Sequence, residues 1–142
     1  GVRTDPDEAR RFVAETGVDA LAVAVGSSHA MTERTAQLDL DLIAALRHAV
    51  PVPLVLHGSS GVADQTIEAA IRAGITKVNV STHLNRYFTE AIRAYLGANP
   101  DVVDSRRYVR AGRAAVAEEA ARLLTLFDVA ARLPGGTATA RP

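Results

Sequence analysis

The sequence contains no cysteine and no tryptophan, and its only lysine is Lys77. Without cysteine, disulfide bonds, thiolate metal sites and cysteine nucleophiles are excluded, so histidine, aspartate and glutamate remain as possible metal ligands. No hydrophobic run approaches the roughly 18 residues that span a bilayer, and the first residues lack the pattern of a signal peptide. We therefore expect a cytoplasmic chain without a membrane segment.

Charge of one sign is also lacking, because 16 basic residues balance 16 acidic residues. No run of lysine or arginine stands out, which argues against a nucleic-acid partner and against a polybasic membrane surface. The 142 residues are 48% hydrophobic and 23% charged, a composition typical of a globular domain. The sequence therefore predicts one compact domain, followed by a flexible tail over the aperiodic residues 133–142.

Short apolar runs alternate with amphipathic segments along the chain. The runs predict three strands, over residues 19–25, 54–57 and 77–80. Apolar residues at helical spacing predict five helices, over residues 4–17, 39–50, 64–73, 82–96 and 108–132. Since each strand is followed by a helix, we expect parallel pairing through right-handed crossovers. The predicted fold class is α/β, with three parallel strands and a long C-terminal helix.

Polar clusters follow the three predicted strands, at the end of a parallel sheet where ligands usually bind. The clusters are Gly26-Ser-Ser-His29, His57-Gly-Ser-Ser-Gly61 and Asn79-Val-Ser-Thr82. His29 and His57 are candidate zinc ligands, because imidazole nitrogen binds zinc and no thiol competes. Two histidines do not complete a catalytic zinc site, and a single histidine at a strand end is more often a hydrogen-bonded structural residue.

The second and third clusters also fit an anion. Gly58, Ser59 and Ser60 offer backbone N–H groups and hydroxyls at the start of a helix, which suits a phosphate. A plain βα turn with a serine cap explains these residues equally well. The stretch from Asn79 to Thr82 repeats the pattern, again with helix capping as the alternative. Neither loop has a Walker, dinucleotide-binding or nucleophile-elbow pattern.

Three further residues are weaker candidates. His48 is late in a predicted helix, where a cation favours the helix dipole. His83 is in the first turn of another helix, close to the third cluster. Lys77 is expected at the beginning of the third strand, whereas a Schiff-base lysine would be buried at the carboxyl end of a strand. We therefore expect no covalent lysine mechanism.

In their order and spacing, these segments resemble the C-terminal portion of the class II, zinc-dependent fructose-bisphosphate and tagatose-bisphosphate aldolase family. The resemblance runs through TDPDEARRFVAETGVDALAVAVGSSHA, PVPLVLHGSSG, ITKVNVSTHL and the ANPD that precedes the last helix. It implies a partial (β/α)8 TIM barrel whose sixth to eighth strands are the three predicted here. On this basis residues 1–132 are the C-terminal part of such a barrel.

The resemblance also implies functions for the clusters. His29 and His57 match two zinc ligands of the family, and Asn79 matches the asparagine that approaches the reacting carbons. Backbone groups near Gly26 and Gly58 would lie around a monovalent cation. Together with the cluster analysis, the resemblance gives seven candidate substrate-binding residues: Gly58, Ser59, Ser60, Asn79, Val80, Ser81 and Thr82. Ala30 follows His29, whereas the family usually has a glycine at this position.

The implied reaction is the reversible cleavage of a phosphorylated ketose into dihydroxyacetone phosphate and an aldehyde, with zinc as a Lewis acid. The resemblance further suggests a homo-oligomer. The family's other zinc ligand and its catalytic aspartate have no counterpart here, since the chain offers three of the eight strands of such a barrel. We therefore expect no catalytic residue in this chain and no turnover in isolation. The alternatives are a non-catalytic phosphate-binding or interaction module and an unrelated flavodoxin-like domain.

Overall fold

The structure is a computed structural model that describes residues 2–27 and 34–128. Contacts divide these residues into two compact units. The first runs to Val80 and includes Phe127 and Asp128, and the second is Ser81–Leu126. The predicted tail, residues 133–142, lies outside the described residues.

The first unit is a parallel sheet with connecting helices. Its elements are α1 (Pro6–Thr16), β1 (Leu21–Val23), α2 (Leu40–Ala49), β2 (Leu54–Leu56), a 3-10 turn (Ser59–Gly61), α3 (Asp64–Ala73) and β3 (Ile75–Val78). The strand order is β1-β2-β3. Leu54 of the central strand pairs with Leu21 on one side and with Ile75 on the other. The predicted α/β class with three parallel strands is confirmed.

Local chemistry explains how α1 is bounded. The Asp5 carboxylate accepts hydrogen bonds from the backbone N–H groups of Asp7 and Glu8, as expected of an N-cap aspartate. Gly17 ends the helix in the left-handed conformation, with φ of 66°. Thr4, the first residue of the predicted helix, lies before α1 and bonds to the backbone of Ala24 just after β1.

The strands differ from their predicted bounds. β1 keeps only three residues of its apolar run, and β3 begins two residues earlier than predicted. β3 starts directly after Gly74. This glycine ends α3, where its backbone N–H donates to the carbonyls of Ala70 and Ile71. Lys77 is consequently the third of four residues in β3, and its expected place at the beginning of the strand is wrong.

The core of the first unit lies on both faces of β2. All three β2 residues are buried, as expected for the central strand of a parallel sheet that helices cover. Leu54 and Leu56 share one hydrophobic cluster with buried residues of the other elements, including Ala9, Val13, Val23, Ile43, Leu46, Ala70 and Ile75. A smaller cluster contains Ala36, Val62 and Ile67, and Phe127 packs against it.

The second unit consists of α4 (Thr82–Ala98) and most of α5 (Ser105–Phe127). The two helices approach closely at Gly112, where an added Cβ would lie 2.6 Å from the Phe88 ring and 3.2 Å from Ile92. No residue of α4 is fully buried, whereas α5 buries Gly112, Glu119 and Leu123. In the described part of the chain, no helix combines the length and hydrophobicity that crossing a membrane requires.

Candidate functional site

His57 and Asn79 lie side by side at the carboxyl end of the sheet. His57 directly follows β2, and Asn79 directly follows β3. The backbone N–H of Asn79 donates to the carbonyl of Leu56 at 3.0 Å, so the pairing of the two strands continues by one residue. Their side chains meet with 3.2 Å between Asn79 Nδ2 and His57 Nε2. The parallel sheet therefore brings together one candidate metal ligand and one candidate substrate-binding residue.

Lys77 orients the Asn79 amide. The Lys77 ammonium donates to Asn79 Oδ1, and an ammonium has no lone pair with which to accept. Asn79 Oδ1 is therefore the acceptor, and Nδ2 is the group that faces His57. Because Nδ2 donates, His57 Nε2 carries the lone pair in this arrangement and Nδ1 carries the proton. Lys77 is exposed and serves as a hydrogen-bond donor, which also argues against a buried Schiff-base lysine.

Serine hydroxyls connect the three strand ends through main-chain carbonyls. Ser59 Oγ donates to the carbonyl of Asn79 at 2.7 Å, and this serine is 4% exposed. Ser27, beyond the end of β1, donates through Oγ to the carbonyl of His57 at 2.5 Å. The Ser59 hydroxyl thus ties the loop after β2 to the end of β3 and does not cap a helix.

Two glycines shape the same edge of the sheet. Gly58 has φ of 66° and begins the turn that contains Ser59 and the half-buried Ser60. Gly26 has φ of 128°, and a Cβ there would lie 2.1 Å from the carbonyl oxygen of Gln37. Both positions have backbone conformations that residues with a Cβ atom rarely adopt. Gly58 is therefore explained by the backbone conformation of a βα turn, as the alternative interpretation of this loop expects.

The remaining candidates occupy the end of the first unit and the start of the second. Val80 is half-buried and ends the first unit, and Thr82 is the first residue of α4. Ser81 is the N-cap residue, with φ of −134° and ψ of −75°, and its side chain makes no capping hydrogen bond. Capping by Ser81, the alternative raised by the sequence, is therefore not the role of its hydroxyl here.

Of the two predicted metal ligands, the structure describes one. His57 offers an imidazole at the sheet edge, whereas His29 lies outside the described residues. Over residues 2–27 and 34–128, no three His, Asp or Glu side chains are grouped closely enough to hold a metal ion. The donor type fits zinc, and the described ligands alone do not complete a site.

A polar cluster in the second unit was missed by the sequence analysis. His83 Nε2 lies 2.6 Å from Glu119 Oε1, and Arg122 donates to both Glu119 oxygens, at 2.9 and 2.7 Å. The Arg122 guanidinium, more than the His83 imidazole, lowers the pKa of Glu119 from 4.5 to about 2 against the opposing effect of burial. The spacing of Glu119 and Arg122 is visible in the sequence, but the partner of His83, 36 residues away, is not.

Comparison with known proteins gives one family match and several similar solved structures. Residues 1–132 match the family model described as fructose-bisphosphate aldolase class-II. The solved YdjI aldolase from Escherichia coli K12 is 38% identical, with a TM-score of 0.75 over 98% of this chain and 48% of that chain. A putative fructose-1,6-biphosphate aldolase from Coccidioides immitis is 32% identical, with a TM-score of 0.73 over 91% and 44%. A fructose-bisphosphate aldolase from Campylobacter jejuni, at 19% identity, shows the shared fold alone, with a TM-score of 0.72 over 89% and 45%.

Proposed function

The chain belongs to the class II fructose-bisphosphate aldolase family, and on this basis we propose that it is part of a zinc-dependent ketose-bisphosphate aldolase. Its three-stranded fold corresponds to a fragment of the aldolase TIM barrel, and it spans about half the length of the solved structures that it matches. The proposed reaction is the reversible cleavage of a ketose bisphosphate into dihydroxyacetone phosphate and an aldehyde. A cytoplasmic location is proposed on the same family basis.

The contact between His57 and Asn79 carries this proposal. Lys77 orients the Asn79 amide, and Asn79 in turn selects the His57 tautomer with a lone pair on Nε2. A metal binds a neutral imidazole through such a lone pair, so zinc at Nε2 would take the place of the Asn79 hydrogen bond. We propose that His57 ligates zinc and that its Asn79 neighbour contacts the substrate. When bound, the metal would supply a Lewis acid for the ketone oxygen.

His29 is the proposed second ligand from this chain. It matches a zinc ligand of the family and belongs to the same sequence cluster as Ser27. The Ser27 hydroxyl is itself bonded to the carbonyl of His57. This contact joins the described start of the first cluster to the second cluster, and it supports the proposal.

Phosphate binding is proposed for residues of the first unit and, independently, for residues of the second. In the first unit, Gly58 and Ser60 offer a left-handed turn and a hydroxyl beside His57. In the second, the Ser81 hydroxyl does not cap α4. This hydroxyl and the first backbone N–H groups of α4 suit an oxyanion. Binding energy from a phosphate remote from the reacting carbons would orient the substrate.

Zinc titration of the 142-residue chain tests the metal part of the proposal. We expect stoichiometric zinc binding that His57→Ala and His29→Ala each weaken, since each variant removes one ligand. His48→Ala is the control, because its imidazole is exposed and bonds to the Ala44 carbonyl of its own helix. Phosphate-ester binding that neither a chelator nor His57→Ala affects would instead support the non-catalytic module.

An aldolase assay tests the proposed incompleteness. The family's catalytic aspartate has no counterpart in this chain, and proton transfer of this kind contributes about 10²–10⁴-fold to a rate. We expect no detectable cleavage of a ketose bisphosphate by the purified 142-residue chain with zinc added. Rapid cleavage would show that the chain supplies its own acid–base group.

A further inference from the structure

The cluster of His83, Glu119 and Arg122 links the start of α4 to α5. His83 is the second residue of α4, directly after Ser81 and Thr82, and Glu119 and Arg122 are in the second half of α5. The Glu119 side chain is 4% exposed and the His83 side chain 13% exposed. An ionised carboxylate this deeply buried requires several donors, and Glu119 receives three hydrogen bonds from its two partners.

The protonation states in this cluster follow from its charges. Glu119 is ionised at neutral pH, because its pKa is held at about 2. An ionised carboxylate only accepts hydrogen bonds, so His83 Nε2 carries the proton and donates it to Glu119 Oε1. The ring orientation of His83 is thereby fixed. The Tyr87 ring, one turn further along α4, lies 5.1 Å from the His83 ring, centroid to centroid.

This link is the buried polar attachment at the amino end of α4. The middle of the helix packs against α5 through Phe88 and Ile92 at Gly112. At the amino end, the Ser81 side chain gives no capping bond, and the carbonyl of Ser81 accepts the N–H of Asn85. Because residues of one helical turn are held together by backbone hydrogen bonds, fixing His83 also fixes Thr82 and its neighbours.

We propose that His83 is a positioning residue of the phosphate site, held by Glu119 and Arg122 so that Ser81 and Thr82 keep their binding geometry. The inference rests on the proposed role of Ser81 and Thr82 as phosphate ligands. Its physical basis is that a displacement of about 1 Å in a positioning group is enough to weaken an interaction with a bound ligand strongly. His83 itself is not assigned a contact with the substrate.

Titration of the 142-residue chain with inorganic phosphate, followed by the backbone amide NMR signals of Ser81, Thr82 and His83, tests the proposal. We expect the wild-type signals to shift with phosphate, and His83→Ala to weaken the affinity about tenfold, corresponding to the loss of one hydrogen bond to a charged group. His83→Gln should retain the affinity within about twofold, because its amide can still donate to Glu119.

Two controls separate positioning from general loss of stability. Gly112→Ala disturbs the contact between α4 and α5 at Phe88 without touching the His83 link, so it should lower stability and leave phosphate affinity unchanged. Glu90→Gln removes an exposed carboxylate on α4 that pairs with Arg86, and it should change neither quantity.

The outcomes distinguish this inference from the proposed function. Absence of phosphate shifts at Ser81 and Thr82 in the wild type would overturn the phosphate site and the positioning role together. Wild-type binding that His83→Ala leaves intact would overturn the positioning role alone. The same conclusion would follow if His83→Gln lost as much phosphate affinity as His83→Ala. It would also follow if Gly112→Ala, at a stability equal to that of His83→Ala, lost as much phosphate affinity.

Discussion

Glu119 makes the stability of the chain depend on pH in the acidic range. Its pKa falls from 4.5 in the ordinary environment to about 2 in the fold, chiefly because Arg122 bonds the ionised form. A group with a lowered folded pKa contributes its stability above the unfolded value and loses it as the pH drops to the folded value. The contribution has an upper limit of between about 3 and 4 kcal/mol, from 1.36 kcal/mol for each of about 2.5 pKa units.

We predict that the free energy of unfolding of the wild type falls between about pH 5 and pH 2, and that Glu119→Gln removes part of this slope. Urea unfolding at a series of pH values measures it. Glu90→Gln is the matched control, since Glu90 is an exposed carboxylate paired with one arginine, and it should keep the wild-type slope. Equal slopes in Glu119→Gln and the wild type would show that Glu119 is not the titrating group.

Lys77 controls the orientation of Asn79 and, through it, the tautomer of His57. Replacement by methionine removes the only donor that the described structure gives Asn79 Oδ1. We predict that Lys77→Met shifts the imidazole nitrogen NMR signals of His57 towards a mixture of tautomers. The stability should change by less than about 0.5 kcal/mol, because Lys77 is exposed.

The adjacent exposed residue of β3 provides the comparison for this prediction. Thr76→Ala changes the same strand without touching Asn79, since the Thr76 hydroxyl bonds to the carbonyl of Gly74. It should leave the His57 nitrogen signals at their wild-type positions. Unchanged signals in Lys77→Met would contradict the orienting role of the ammonium group.

Among the secondary-structure elements, α4 and α5 contain one open and one crowded helical glycine. A Cβ at Gly97 in α4 would meet no atom within 4 Å, whereas at Gly112 in α5 it would meet the Phe88 ring at 2.6 Å. Glycine inside a helix costs about 0.5–1 kcal/mol relative to alanine. The two positions therefore separate helix propensity from helix packing.

We predict that Gly97→Ala raises the free energy of unfolding by about 0.5 kcal/mol and that Gly112→Ala lowers it by about 1–3 kcal/mol, as overpacking does. Chemical denaturation of the two variants beside the wild type measures both. Stabilisation by Gly112→Ala would mean that Phe88 moves aside at little cost, and that the close approach of α4 and α5 is not tight packing.

The elements also show where sequence patterns predict structure well. α3 has its predicted bounds, Asp64–Ala73, because its apolar spacing is regular and Gly74 ends it. The strands are less predictable, since their ends depend on neighbours: β1 pairs only where β2 is extended, and β3 begins directly after Gly74. α5 begins three residues before its predicted start, where Asp104 bonds the N–H of Arg106.

The candidate site was predictable to the extent that it depends on strand ends. Parallel strands place His57 and Asn79 at one edge, and the sequence already puts both residues within the last two positions of predicted strands. The bond between Ser59 and the Asn79 carbonyl was not predictable, because a serine in such a turn caps a helix or binds a ligand just as readily. The pairing of His83 with Glu119 requires the crossing of α4 and α5, which no local pattern contains.

On the scale of the whole molecule, the sheet has two open edges. Within the described residues, β1 and β3 pair with β2 alone, whereas parallel sheets are usually covered and their edges protected. The solved relatives are about twice as long as this chain, and the remaining part of such a protein would pair with these edges.

We predict that the isolated 142-residue chain associates with itself, because unpaired strand edges favour pairing between chains. Light scattering after size-exclusion chromatography measures the mass, and hydrogen exchange reports on the β1 and β3 amides. A monomer whose edge amides are well protected would contradict this prediction. Addition of the N-terminal half of a family member should reduce the association if that half covers the edges.

The hydroxyl bonds of Ser27 and Ser59 end on the carbonyls of His57 and Asn79, not on their side chains. The backbone at these two positions is therefore held by groups that every amino acid possesses. The imidazole and the amide can be exchanged for other functional groups while the strand ends stay tied. This edge of the sheet is accordingly a place where new chemistry can be introduced, by evolution or by design, without a new fold.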